Sequence, residues 1–295
     1  WSPLHFPYTS GAEITGNKIT NVQPFKLPIK WKGGDFILDQ TGIILGTRFA
    51  HKEKFLPGAV TGNLVVENNG IDLKCENPKI TMGHGVFFPW TWGATIDVKG
   101  NTIRNVSRNS IESLDNYLDD EGRGSVTITG NDIITPAEGC PFPGATTYPS
   151  GIVVGWFFDR SGAADPTKNS KITIASNFVQ ANGELSTGIS SMSDGTLILE
   201  NRIELNGGPK TKGITQLGSN GFVARNKIDG SGKWAVSALQ WKEFKGSGNT
   251  FAWNDIRGFK ASNADFLCSG NQNTFIGAEC KVVDKGKDNK ILVMN

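Results

Sequence analysis

A tetrapeptide of the form x-Asn-x-(Ile/Val) returns along the chain about every 25 residues, and no other feature restricts the fold as strongly. It occurs as Gly100-Asn101-Thr102-Ile103, Gly130-Asn131-Asp132-Ile133, Ser176-Asn177-Phe178-Val179, Glu200-Asn201-Arg202-Ile203, Arg225-Asn226-Lys227-Ile228 and Trp253-Asn254-Asp255-Ile256. Successive asparagines are 30, 46, 24, 25 and 28 residues apart. Thr15-Gly16-Asn17-Lys18-Ile19 is an earlier copy, and Thr61-Gly62-Asn63-Leu64-Val65 reads as another. A period of this size marks stacked units, each too small to bury its own apolar face.

Each copy follows a short alternating run, such as Val126-Thr127-Ile128-Thr129 or Ile172-Thr173-Ile174-Ala175. Alternation with β-branched residues predicts a strand. A second strand is expected later in each unit: Ser110-Ile111-Glu112-Ser113, Gly151-Ile152-Val153-Val154, Gly188-Ile189-Ser190-Ser191, Gly213-Ile214-Thr215-Gln216 and Ala235-Val236-Ser237-Ala238. With 37 glycines and 13 prolines the chain favours turns, and a helical bundle is excluded. Two strands per unit, paired coil on coil at ~4.8 Å, give an all-β parallel solenoid around one apolar interior. The asparagines then align along its axis as an amide ladder, which is a structural role.

These residues resemble the right-handed parallel β-helix superfamily, the pectin-lyase-like folds and their relatives built from generic β-helix repeats. The likeness covers residues 96–290 well and the first 95 poorly, and it implies a single-stranded right-handed parallel β-helix, with residues 1–295 expected as one domain. Residues 1–95 are expected as irregular first coils, and residues 96–295 as regular coils with a C-terminal cap. It further implies contact with a polysaccharide. The Asn-Thr-Asp, Gly-Asp-Asp and Trp-Ile-Asp-His signatures of known lyases and polygalacturonases are absent from the sequence.

In register, equivalent residues of successive second strands become neighbours, so Glu112, Val153, Ser190, Thr215 and Ser237 form an outward row. Three residues on come Asp115, Trp156, Ser193, Gly218 and Gln240, with Asp194 and Trp241 beyond. The long interval from 131 to 177 adds Asp159 and Arg160, and a turn adds Asp119, Asp120, Glu121 and Arg123. Aromatic rings stack on the C–H faces of sugars, and carboxylates and amides bond their hydroxyls. The expected sugar-binding residues are therefore Glu112, Trp156, Ser190, Ser193, Lys212, Thr215, Gln240 and Trp241.

Glycoside hydrolysis needs two carboxyl groups about 5–9.5 Å apart, for which Asp115, Asp159 and Asp194 are the candidates. A uronate lyase needs a cation and a base, which Arg123, Arg160 and Lys212 offer beside the acidic turn. Calcium at that turn is the one cofactor left open; no metal-binding loop motif is present, and otherwise no cofactor is expected. The alternative function is a non-catalytic surface or scaffold solenoid.

A balance of 30 basic and 28 acidic residues without a basic block points away from nucleic acid. No apolar stretch reaches the ~20 residues of a spanning helix, so membrane insertion is not expected. Cys75, Cys140, Cys268 and Cys280 lack zinc-site spacing, and Cys268–Cys280 is a candidate disulfide near the end of the stack. The chain opens at Trp1 with no initiator Met, and a secreted or cell-envelope location is expected.

Overall fold

The computed structural model describes residues 3–292 except 7–8, 23–24, 32–33, 39, 47–59, 74–82, 138–148, 156–169, 242–243, 260–263 and 278–280. For 25–31, 34–38, 40, 90 and 264–266 the backbone alone is described. The chain winds as a parallel β-helix of three sheets.

Sheet A runs in the order Leu4–Phe6, Gln40–Leu45, Gly83–Trp92, Asn109–Tyr117, Ser150–Gly155, Thr187–Ser191, Lys212–Gln216, Trp234–Ala238, Ala264–Cys268 and Val282–Asp284. Sheet B holds the alternating runs, from Thr9–Thr15 to Lys290–Leu292. Sheet C was not expected. Its strands are the short segments following each corner asparagine, among them Thr102–Arg104, Asp132–Ile134 and Phe178–Ala181. Each complete coil therefore carries three strands where the sequence pattern suggested two. The layout begins at Leu4, well before the repeat becomes legible.

Isoleucine and valine at alternate positions supply the interior. Ile96 and Val98 of sheet B, Ile103 of sheet C and Ile111 of sheet A belong to one continuous core, and all are fully buried. At ~25 cal/mol per Å² of apolar surface, such a column is the main source of stability, and no single coil can supply it alone.

The corner from sheet B to sheet C is invariably two residues long, as at 100–101, 130–131, 176–177 and 200–201. Its first residue lies in the left-handed region: Gly100 and Gly130 at φ 62, Ser176 at φ 55 and Glu200 at φ 56. The second is the asparagine. Its backbone N–H and side-chain Nδ2 both donate to the next Oδ1: Asn101 to Asn131 at 3.0 and 2.9 Å, and Asn131 to Asn177 at 3.0 and 2.9 Å. The same pattern joins Asn177 to Asn201, Asn201 to Asn226 and Asn226 to Asn254.

At the other end of this column, Asn17 bonds Asn69, and Asn69 bonds Asn101. Asn63, the expected member, instead lies exposed within the strand Val60–Glu67, paired with Thr95. A second ladder closes the corner from sheet A to sheet B, where Gly221 N–H donates to Asn249 Oδ1, Asn249 N–H to Asn273 Oδ1 and Asn273 N–H to Asn289 Oδ1.

All longer connections fall at the two edges of sheet A. On the side facing sheet C they include 73–82, 135–149 and 21–39, the last containing the antiparallel hairpin Phe25–Trp31/Gly34–Leu38. On the side facing sheet B they include 46–59, 118–124, 156–170 and 239–249. The long 131–177 interval thus divides into two segments leaving opposite ends of one strand, Ser150–Gly155.

Candidate functional site

The hydrogen-bonded register of sheet A pairs Glu112 with Val153, Val153 with Ser190, Ser190 with Thr215 and Thr215 with Ser237, and continues back to Phe87. A second row runs beside it: His84, Asn109, Ser150, Thr187, Lys212 and Trp234. Small residues follow each of these, and the reason is steric. A Cβ at Gly151 would stand 2.4 Å from Val179 and 2.5 Å from the Gly188 carbonyl, and one at Gly213 would stand 2.2 Å from the Ala235 carbonyl. The glycines let the coils approach, and the rows on either side turn to the same outer face. Contacts within and across coils show this: His84 stacks on Phe87, Asn109 bonds Glu112, and Trp234 bonds Thr215.

One end of this face is covered. Glu112 points away from the core yet is only 1% exposed, and His84 and Phe87 are also buried. His84 Nδ1 lies 2.8 Å from Glu112 Oε2, Asn109 Nδ2 donates to the same oxygen, and Arg108 Nε is 4.0 Å from it. Burial works against the carboxylate, but the His84 and Arg108 charges and the His84 and Asn109 donors outweigh it. Glu112 is held well below the usual carboxylate range. The His84 ring lies parallel to Phe87 at 4.6 Å. Here the outer face is a packed, ion-paired wall.

The middle of the face is open. Val153, Thr187, Ser190 and Lys212 are half-buried. Trp234 Nε1 donates to Thr215 Oγ1 at 3.3 Å, while Lys212 Nζ and Lys233 Nζ sit 5.6 and 4.8 Å from the Trp234 ring centre. Burial and then the Lys233 charge push the Lys212 amine below its ordinary value. Toward the sheet B edge, Leu114, Tyr117, Met192, Leu217 and Phe244 make an apolar cluster separate from the main core. Trp241, 45% exposed, stacks against Phe244.

The remaining expected residues are dispersed. Asp115 is buried at φ 55 and accepts from the Tyr117 hydroxyl at 3.3 Å. Asp194 is half-buried and accepts the Ser219 N–H at 2.6 Å. Ser193 is buried, and its carbonyl accepts from Thr196 Oγ1. Gln240 is exposed, with its N–H bonded to Ser269 Oγ. Arg123 is exposed in a turn, bonded to Asp119 at 2.7 Å and to Glu121. Trp156, Asp159 and Arg160 lie outside the described residues.

The structure thus brings Ser190, Lys212 and Thr215 together on one surface with Thr187, Trp234 and Lys233, three residues the sequence reading did not assign to it. Lys212 and Trp234 precede the inward Gly213 and Ala235, so the signal lay in the residue ahead of each small one. His84 and Arg108, partners of Glu112, were also missed. No group of three His, Cys, Asp or Glu able to hold a metal occurs among the described residues. Cys268 is a free, buried thiol that donates to the Gly270 carbonyl.

The site belongs to a parallel β-helix whose loops border one sheet. In comparison with known proteins, the chain matches no family model, no curated protein and no solved structure.

Proposed function

We propose that the chain is an extracellular or cell-envelope β-helix protein that binds a polysaccharide across the outer face of sheet A. The observation that carries this reading is the placement of the insertions. The B-to-C corner never exceeds two residues, whereas every long connection borders sheet A. Long loops in compact folds are disproportionately functional. On the open part of the face lie the Thr187 and Ser190 hydroxyls and the Lys212 amine, groups that bond sugar hydroxyls, with the buried Thr215 and Trp234 packed beside them.

Binding is supported more directly than cleavage. Asp115 bonds a buried tyrosine and Asp194 bonds backbone, so both described candidate carboxylates already serve the fold. Cleavage, as hydrolase or lyase, extends the proposal and is tested by release of reducing ends or unsaturated uronates from bound polymers. The primary test is a glycan array followed by affinity electrophoresis of the wild type and Ser190→Trp, which covers the open middle of the face. Retained binding by the folded variant removes sheet A from the reading, and absence of any glycan ligand removes the reading itself.

A further inference from the structure

Resting on that reading, we infer that the open part of sheet A is a short cationic window that takes an acidic segment of a glycan, two or three sugars long, with its anionic group between Lys212 and Lys233 against Trp234.

The length follows from burial along the outward row. Phe87 and Glu112 close one end. Val153 and Ser190 are half-open, whereas Thr215 is 7% and Ser237 0% exposed, which closes the other. The opening runs from Val153 past Ser190 to Lys212, half-buried in the adjoining row, two coil steps or about 10 Å at sheet spacing, enough for two or three sugar rings rather than a long chain along the solenoid axis.

The charge follows from the two lysines. Lys212 sits in the row beside Ser190 and Thr215, and Lys233 precedes Trp234 on the next coil. Both ammonium groups lie over the same indole, and the two charges oppose each other. Among the described residues neither has a carboxylate within ion-pair distance, whereas Lys99, Lys210 and Lys227 each have one. A carboxylate or sulfate ester between them relieves that repulsion, and the half-buried Thr187 and Ser190 hydroxyls flank the attached ring. Cation–π contact holds both amines near the indole before the ligand arrives.

Calorimetric titration with oligogalacturonides, sulfated galactan oligosaccharides and neutral galactan oligosaccharides of graded length tests the window, the first two separating carboxylate from sulfate. Acidic ligands are expected to bind with affinity that stops rising at about the trimer. Lys212→Gln and Lys233→Gln are each expected to weaken acidic ligands about tenfold or more, the range of a charged hydrogen bond, and Lys212→Arg to retain them. Affinity that climbs steadily beyond the hexamer, or lysine variants that bind acidic ligands as the wild type does, overturns the window while sheet A binding stands. No binding of any glycan overturns both.

Discussion

Truncating Asn177 to Ala tests the corner ladder at its most connected rung. Its Oδ1 accepts Asn131 N–H and Nδ2, and its own Nδ2 donates to Asn201 Oδ1, Ile128 O and Ala175 O. Alanine leaves the buried Asn131 N–H without an acceptor, at ~1–3 kcal/mol, and deletes several bonds worth ~1 kcal/mol each, so a loss of about 3–5 kcal/mol is expected. Because stacked repeats need not unfold as one unit, amide exchange is the better assay. The Asn131 amide is expected to lose at least about a hundredfold in protection, with amides of distant coils little changed. Asn177→Asp sharpens the test. The aspartate can still accept, but when ionised it cannot donate, and it faces three oxygens, so its folded pKa should rise above ~3.9. Its stability is then greatest below that value and falls as pH climbs toward the raised folded pKa, by ~1.4 kcal/mol per unit. Wild-type protection at Asn131 in the alanine variant, or an aspartate variant most stable at neutral pH, refutes the ladder as the element that closes this corner.

Glu112→Gln should cost about 3–5 kcal/mol, because it leaves His84 and Arg108 buried without their anion, as measured by urea unfolding at neutral pH. The Glu112 dependence has the opposite sign to that of Asn177→Asp. Its folded pKa is depressed, so its contribution is present above ~4.3 and is lost as pH falls through the folded value; acid unfolding of the glutamine variant should be correspondingly less steep. Gly151→Ala should destabilise by ~1–3 kcal/mol, since the added Cβ meets backbone as well as Val179, a shift visible in thermal melts. Ser176→Gly should be neutral to stabilising by up to ~1 kcal/mol, because relief of a left-handed φ is partly offset by a more flexible unfolded chain; a clear loss of melting temperature would show that the Ser176 side chain contributes to the corner.

Much of the solenoid was legible because its rule is local. The same residue types recur at the same corner, so Ile111, Ile152, Ile189, Ile214 and Val236 could be aligned, and their register is the one that forms. Sheet C was missed because its strands, such as Thr102–Arg104, are too short for alternation to show and were absorbed into the corner motif. Asn68-Asn69-Gly70-Ile71 fits the motif better than the segment around Asn63, but the nearby Gly62-Asn63 pair imitated a corner. The second ladder had its own signal, Asn249-Thr250-Phe251 echoed by Asn273-Thr274-Phe275. The site was less readable. That His84 meets Glu112 depends on pairing between Gly83–Trp92 and Asn109–Tyr117, where no corner motif fixes the register. The exposure of Lys212 and the burial of Asp115 depend on side-chain cover that no period encodes.

The invariant two-residue corner divides the labour within each coil. Over most of the stack the amide ladder that keeps the coils in phase runs along one seam, and only toward its end does a second ladder share that duty at an edge of sheet A. Loops elsewhere at the edges of that sheet can lengthen, shorten or change chemistry without disturbing the winding, so a coil and its border loops form a cassette. New specificity could be written into such a molecule by exchanging segments such as 135–149 or 156–170 while the asparagine seam keeps count.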